Sequence, residues 1–431
     1  MRVEDWLTRA ARRAPAHAAL EDSERTVSYG ELHALAGAGA RELGVAPGAR
    51  VAIALAPGID FAVALHACMR AGAAAVPVDL RDPRASADAE IVIDEPLACR
   101  AVPLAAAGHD LDATALVVRT SGTSGAPKEV ALSYGNLLWS ALGSAVALGL
   151  DPAERWLCTL PLVHVGGLSI IVRSTIYGTT AVIHERFDTD AAIDALMGRE
   201  VTIVSVVATT LARLLDGGLR DPPALRCALA GGGPVPAALV ARAHDAGVAV
   251  SQTYGLTEAS SQVATQTPGD TREAAGPPLF CTAVAIAADG EILVSGPTVS
   301  PAAGPLLATG DLGELLPDGS LRVIGRRSDT IITGGENVAP TEVEAVLERH
   351  QAVVEAAVFG VPDGAWGEAV HALVVARGAV SAKELREHCA ALLPAYKVPK
   401  RIAFAEDLPR TPSGKLARAK LRSVDGRTRA A

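Results

Sequence analysis

The chain has 431 residues with 39 Lys and Arg against 48 Asp and Glu, a formal net charge of −9, which leaves no basic footprint for a nucleic-acid backbone or an anionic bilayer. Hydrophobic residues make up 49% and charged residues 20%, outside the polar range of disordered chains, and the length suits more than one domain. No run of about 20 apolar residues spans a membrane, Glu4 and Asp5 argue against a targeting peptide, and the scattered cysteines (Cys68, Cys99, Cys158, Cys227, Cys281, Cys389) form no CxxC pair, so a cytoplasmic protein without zinc or disulfides is expected.

In chain order the pattern predicts helix 3–13, a strand pair near 19–27, helix 29–43, strand 51–56, helix 59–71 and strand 74–78. After residue 115 come strand 115–118, a loop of glycines and hydroxyls, helix 133–148, strand 156–160, helix 167–177 and strand 180–183. Strand 202–207, helix 208–215, strand 226–230, helix 236–246 and strand 248–252 follow. Short apolar runs alternating with 3.6-period segments predict parallel sheets covered by helices. From about residue 280 the grammar changes to short strands at 282–287, 291–295, 313–316 and 321–324, with turn signals at Asp289-Gly290 and Asp318-Gly319. After 325–329 the expected elements are helix 341–349, strands 353–360 and 370–376, helix 381–393 and strand 401–405. The fold class is thus α/β: a large N-terminal domain of stacked βα subdomains with a β-rich subdomain (1–327), then a small α+β C-terminal domain (328–431), with the hinge near Ser328.

Four loops at strand ends carry the chemistry. TSGTSGAPK (120–128) packs four hydroxyls, two glycines and a lysine between a strand and an expected helix. Glycine backbone N–H groups, the hydroxyls and the Lys128 charge suit a polyphosphate; the spacing is not that of a Walker A loop. GGGPVP (231–236) offers a flat backbone surface for a planar ring, or equally a helix-opening turn. YGLTE (254–258) supplies an aromatic face, a hydroxyl and a carboxylate; Glu258 is suited to Mg²⁺ bridged to phosphate oxygens, or to a helix N-terminus. TGD (309–311) offers Asp311 to two hydroxyls, as a ribose would present, or as a turn residue. Ends of successive strands in open α/β sheets converge on a ligand crevice.

The order of these motifs, followed by GRRSD (325–329) and PRTPSGK (409–415), resembles the adenylate-forming superfamily of acyl-CoA synthetases, peptide-synthetase adenylation domains and luciferases, over nearly the whole chain. The resemblance implies ATP, Mg²⁺ and CoA as cosubstrates and two half-reactions, acyl-AMP formation and then displacement of AMP by a thiol. It implies that Thr120, Ser121, Gly122, Thr123, Ser124, Gly125 and Lys128 hold the β- and γ-phosphates, that Thr257 touches the α-phosphate, and that Glu258 binds the metal. Gly231, Gly232, Gly233 and Tyr254, with Gly255 beside it, sandwich adenine, while Asp311 and Arg326 hold the ribose. Lys415 bridges the attacking carboxylate and the α-phosphate, and the C-terminal domain rotates about the hinge at Ser328. ITGGENVAP (332–340) resembles the loop facing the thiol tunnel, with Gly334 and Gly335 allowing close approach of pantetheine. With no carrier domain expected after Ala431, free CoA is the expected acceptor.

The acid is the harder question. Arg173 stands in an otherwise apolar helical segment, and a buried guanidinium calls for an anion. It is either a structural carboxylate or a second, unactivated carboxylate on the substrate. HxxGLSIxxRSxIYG (164–178), YGLTEASSQ (254–262) and GPPLF (276–280) are similar to the o-succinylbenzoate-CoA ligases of menaquinone biosynthesis, whose substrate is a dicarboxylate. The resemblance puts His164 and Gly167 at the acyl pocket and lets Ser260, Ser261 and Gln262 donate to either carboxylate. A CoA ligase for another aryl or short acyl acid, and a stand-alone adenylation domain loading a carrier protein, remain alternatives. The sequence does not decide between monomer and homo-oligomer.

Overall fold

A computed structural model describes residues 1–81, 89–98, 108–121, 127–410 and 416–425. The chain divides into two compact units, one made of 1–232, 243–284 and 294–307, the other of 233–242, 285–293 and 308–431.

The first unit contains two large sheets. In the eight-stranded one the order is Ser261–Thr265, Val250–Leu256, Cys227–Ala230, Ile203–Val206, Arg155–Cys158, Thr180–Ile183, Ala18–Glu21 and Thr26–Ser28, parallel inside with antiparallel pairs at both edges. The five-stranded one runs Ile91–Ile93, Arg50–Ile53, Ala74–Pro77, Thr114–Ser121 and Pro127–Ser133. The inner strands are apolar on both faces, as parallel strands covered by helices must be, and Val51, Ala75, Leu116, Leu157 and Val182 are fully buried. Local chemistry sets the helix limits. Ser28 with Glu31 and Ser133 with Asn136 form capping boxes, and left-handed Gly44, Gly72 and Gly178 end the helices Tyr29–Leu43, Ile59–Ala71 and Val165–Tyr177.

Three expectations change. Helix 3–13 starts only at Trp6, because the Asp5 carboxylate caps it, and Arg2–Glu4 pairs as a strand with Gly108–Asp110. The loop that opens at Thr120 does not lead into a helix. It connects two antiparallel strands in which Thr120 faces Lys128, and the helix Tyr134–Leu148 begins only after the second strand. Burial of Val130 and Leu132 on either side of the partly exposed Ala131, after the exposed Lys128 and Glu129, marks that strand. A helix Thr189–Gly198, opened by the Asp188 side chain, was not anticipated.

In the second unit lies most of a four-stranded sheet, Ala283–Ile286, Glu291–Ser295, Leu307–Leu315 and Leu321–Arg326. It also holds a five-stranded sheet in which Val353–Asp363 and Gly367–Ala376 pair antiparallel and Arg401–Phe404 adds in parallel. The helices Pro340–Glu348 and Ala382–Leu392 cover that sheet through Val343, Leu347, Leu385 and Cys389. The ITGGENVAP segment is a hairpin, Ile331–Thr333 against Glu336–Val338, closed by Gly334 and Gly335 at φ of 59° and 85°. Among the described residues no helix is long and apolar enough to cross a membrane.

Candidate active site

Pairing of the strands Thr114–Ser121 and Pro127–Ser133 brings Thr120 and Lys128 side by side, with the Thr120 hydroxyl donating to the Lys128 carbonyl at 3.3 Å. Glu129 points the other way, toward Arg50 at 2.8 Å and Arg119 at 3.1 Å. Those two guanidiniums hold its carboxyl below the usual range against the opposing effect of burial. Lys128 is left as the cation of the loop, largely exposed, with its Nζ 3.8 Å from Glu258 Oε1. Gly122, Thr123, Ser124 and Gly125 lie outside the described residues, as do the side chain of Ser121 and Lys415. Arg410 and Leu416 flank the lysine loop as an antiparallel bridge, and Ala417 N–H donates to the Pro409 carbonyl at 2.8 Å.

Glu258 sits in a 3₁₀ turn, Thr257–Ala259, that follows the strand Val250–Leu256. Its carbonyl accepts from Ser300 N at 2.7 Å, and the turn is closed by Ser260 N on the Thr257 carbonyl at 3.0 Å. Ser260 and Ser261 then take φ of 56° and 92°, which for non-glycine residues costs about 1–2 kcal/mol each. Gly255 is required by this turn: a Cβ there would lie 1.6 Å from the Ser261 carbonyl oxygen. Gly231 is equally constrained, its Cβ position lying 2.7 Å from Thr253 Cγ2. Tyr254 is half-buried, opposite Ala264.

The donor set at Glu258 suits Mg²⁺ brought in with phosphates. It is one carboxylate beside a lysine, and among the described residues no group of three or more His, Cys, Asp or Glu side chains could hold a metal alone. A hard cation that keeps several waters and takes the rest of its oxygens from a polyphosphate needs no more than that.

Asp311 and Arg326 belong to the other unit, where they face each other across the strands Leu307–Leu315 and Leu321–Arg326. Arg326 Nε donates to Asp311 Oδ1 at 3.1 Å; Asp311 is buried while Arg326 is mostly exposed. Next to them Gly310 N–H donates to Glu291 Oε1 at 2.8 Å. Ser328 opens toward Asp329, whose carboxylate pairs with Arg418 at 3.2 Å.

The expected acid pocket divides unevenly. His164 precedes the helix Val165–Tyr177, half-buried, its carbonyl accepting from Gly167 and Leu168 N–H at 3.1 Å. Asp79 is held below the usual carboxylate range chiefly by its bond from Arg81, with His164 a smaller influence. Gly167 has a packing reason, since a Cβ would meet the Pro161 and Leu160 carbonyls at 2.7 and 2.9 Å. Ser260 is not free to donate to a substrate: it is buried and its hydroxyl donates to the Thr298 carbonyl at 2.8 Å. Ser261 is half-buried, and buried Gln262 donates to Thr265 Oγ1 at 2.9 Å, its Oε1 without a partner.

Arg173 is 2% exposed. The structural carboxylate offered as one of its two partners is not found among the described residues. Instead one amino group donates to Ser140 Oγ at 3.0 Å and the guanidinium lies 5.8 Å from the Trp156 ring centroid, with Nε unpartnered. Burial pushes its pKa below the ordinary value.

Two residues escaped the sequence reading. Trp366, 47% exposed, lies against Gly334, whose Cβ position would be 2.6 Å from its ring, and Lys400 Nζ sits 4.5 Å from the ring centroid. That Trp366 is one of four tryptophans in a chain with 3% aromatics was the only signal.

Comparison with known proteins bears on the same residues. Residues 7–92 and 85–302 match the family model described as AMP-binding enzyme, and 342–415 match the AMP-binding enzyme C-terminal domain. The 2-succinylbenzoate–CoA ligase of Bacillus subtilis is 37% identical over 97% of this chain and 98% of its own. Among solved structures, o-succinylbenzoate CoA synthetase from Bacillus subtilis in complex with the acyl-adenylate intermediate OSB-AMP superposes with a TM-score of 0.89 at 36% identity, covering 98% of both chains. The same enzyme in complex with ATP and magnesium ion gives 0.88 at 35%, covering 98% of this chain and all of that one.

Proposed function

This chain belongs to the AMP-binding enzyme family, and on that premise we propose that it joins o-succinylbenzoate to CoA at the expense of ATP, through an acyl-adenylate, in menaquinone biosynthesis. The products are o-succinylbenzoyl-CoA, AMP and pyrophosphate. The observation that carries this reading is the match to a 2-succinylbenzoate–CoA ligase along essentially the full length of both chains. Cytoplasmic placement belongs to the same reading.

In the first step a carboxylate oxygen attacks the α-phosphorus and the bond to the β-phosphate oxygen breaks, releasing pyrophosphate. An anion meets a polyanion, so the barrier is largely electrostatic and is lowered by fixed cations and N–H donors. Lys128 and the backbone of 120–125 hold the β- and γ-phosphates, and Thr257 donates to the α-phosphate. Glu258 would hold Mg²⁺, which supplies charge neutralisation to the phosphate oxygens. The glycines at 231–233 and Tyr254 bracket adenine; Asp311 accepts from the ribose hydroxyls, oriented by Arg326. Lys415 neutralises the charge between the attacking carboxylate and the α-phosphate. In the second step the CoA sulfur attacks the acyl carbon and AMP leaves. Rotation of 328–431 about Ser328 relative to 1–327 exchanges the Lys415 loop for the Gly334-Gly335 hairpin, beside which Trp366 offers a planar face. His164, Gly167, Ser261 and Gln262 line the acid pocket.

The test separates the half-reactions. Lys415→Ala is expected to lower o-succinylbenzoate-dependent pyrophosphate exchange by about 100-fold or more while sparing thioester formation from supplied acyl-adenylate. Equal loss of both steps would contradict the division of labour between the two loops.

A further inference from the structure

The buried guanidinium of Arg173 reaches the Ser260 carbonyl, two residues after Glu258, through two hydrogen bonds. Its amino group donates to Ser140 Oγ at 3.0 Å, and Ser140 Oγ donates to the Ser260 carbonyl at 2.6 Å, all of it buried. The three residues come from three separate elements: the helix Val165–Tyr177, the helix Tyr134–Leu148 and the residue that closes the Thr257–Ala259 turn. Each hydroxyl in such a chain is polarised by the donor behind it, and a charged donor at the head strengthens the whole series.

The place where this chain ends is the strained one. Non-glycine residues with positive φ among the described residues are Glu200, Asp221, Ser260 and Ser261, so the two adjacent ones stand directly after Glu258 and Ala259. A left-handed pair of this kind persists only where its surroundings over-determine it. The surroundings are visible. Ser140 fixes the Ser260 carbonyl, Ser260 Oγ donates to the Thr298 carbonyl at 2.8 Å, and Asn136 Nδ2 donates to the Pro297 and Val299 carbonyls at 2.8 and 3.0 Å. Ser300, in the same segment, donates from its N to the Glu258 carbonyl at 2.7 Å and from its hydroxyl to the Ala131 carbonyl at 2.7 Å, in the strand that carries Lys128. The helix Tyr134–Leu148 is therefore tied to both sides of the Glu258 turn.

We infer that Arg173 is a positioning residue: acting through Ser140 on the Ser260 carbonyl, it holds the turn that aims Glu258 at the metal accompanying the ATP phosphates. This rests on the proposed ligase reading for the role of Glu258, and it differs from the alternative offered by the sequence, in which Arg173 receives a second carboxylate of the substrate. Among the described residues the hydrogen bond of Arg173 goes to Ser140 Oγ, which passes it on to the Ser260 carbonyl, with the Trp156 face and the Tyr177 phenol as its other neighbours.

Isothermal titration calorimetry of ATP binding, with Mg²⁺ and with EDTA, reads the relay without turnover. Arg173→Met and Ser140→Ala are each expected to weaken Mg·ATP binding about ten-fold while leaving metal-free ATP binding within about two-fold, and the double variant is expected to be no worse than the more impaired single one. Pyrophosphate exchange should fall by the same factor with o-succinylbenzoate and with 4-oxo-4-phenylbutanoate, which lacks the ring carboxylate, and Ser140→Thr should retain most of the activity. Unchanged Mg·ATP affinity in both variants would overturn the inference. So would a loss confined to o-succinylbenzoate, which would make Arg173 a substrate receptor. Should Arg173→Met fail to fold, Ser140→Ala carries the same expectations. If the wild-type protein exchanges pyrophosphate with neither acid, the ligase reading fails, and the calorimetric limb still decides the relay.

Discussion

Arg70 and Arg173 are two guanidiniums buried in the same unit, 4% and 2% exposed, and they meet the cost of burial differently. Arg70 brings its own anion. It donates to Asp5 Oδ2 at 2.8 Å and to Thr8 Oγ1 at 3.1 Å, while His109 Nε2 lies 3.3 Å from the other oxygen of Asp5. Burial still lowers the Arg70 pKa, outweighing the attraction of Asp5. At Asp5 burial alone would raise the carboxyl, but bonds from His109 and Thr8 and the charge of Arg70 bring it down to about 2. Among the described residues Arg173 meets no carboxylate, only the Ser140 hydroxyl, the Trp156 face and the Tyr177 phenol. The contrast separates a charge that locks a fold, which comes paired, from a charge retained without a carboxylate, which must be explained by something other than stability.

Breaking the paired site is expected to have the largest effect. Arg70→Met leaves Asp5 buried and uncompensated and should cost about 3–5 kcal/mol, read by urea denaturation, while kcat/KM of the folded fraction stays within about two-fold.

The pH dependence of stability sharpens the same site. His66 is pushed down to about 4 from 6.5 by burial, so below pH 6.5 the unfolded chain binds a proton that the folded one refuses, and stability falls between about pH 6.5 and 4. For Asp5 the folded value is depressed from 3.8 to about 2, so its contribution is full above about pH 4 and disappears as pH falls toward 2. These differences correspond to about 3 and about 2 kcal/mol respectively. Half-buried Glu348, raised by desolvation to about 7, contributes with the opposite sign between about pH 7 and 4.5. The upper limb is therefore read by denaturation at stepped pH as the difference between the wild type and His66→Gln, and the lower limb should be the same in both proteins.

The smallest expected change in stability is at Arg173. Arg173→Met replaces a poorly compensated buried charge by an apolar side chain of similar length and should shift unfolding by no more than about 1 kcal/mol in either direction. A loss as large as that of Arg70→Met would erase the distinction between the two guanidiniums.

Much of this was legible in the sequence, for local reasons. Helices 29–43 and 59–71 were bounded correctly because Ser28, Glu31, Gly44 and Gly72 carry the start and stop chemistry in adjacent residues. Arg173 stood out because a single charge interrupts an apolar helix. Its partner did not, because Ser140 lies 33 residues away and a serine in an apolar helix announces nothing. The strand Pro127–Ser133 was missed because its alternation is only a few residues long and runs straight into a helix cap. The left-handed turn at Ser260 and Ser261 was invisible because two serines have no intrinsic preference for it; packing against Gly255 and the Ser140 bond impose it.

The ligase reading is tested most directly by mass spectrometry of ATP- and CoA-dependent thioester formation with o-succinylbenzoate, benzoate, 4-hydroxybenzoate, cinnamate, acetate and octanoate offered side by side. The account predicts o-succinylbenzoyl-CoA as the dominant product, with AMP and pyrophosphate released in equal amounts. A thioester of one of the monocarboxylates as the main product, with o-succinylbenzoate left unconverted, would contradict it.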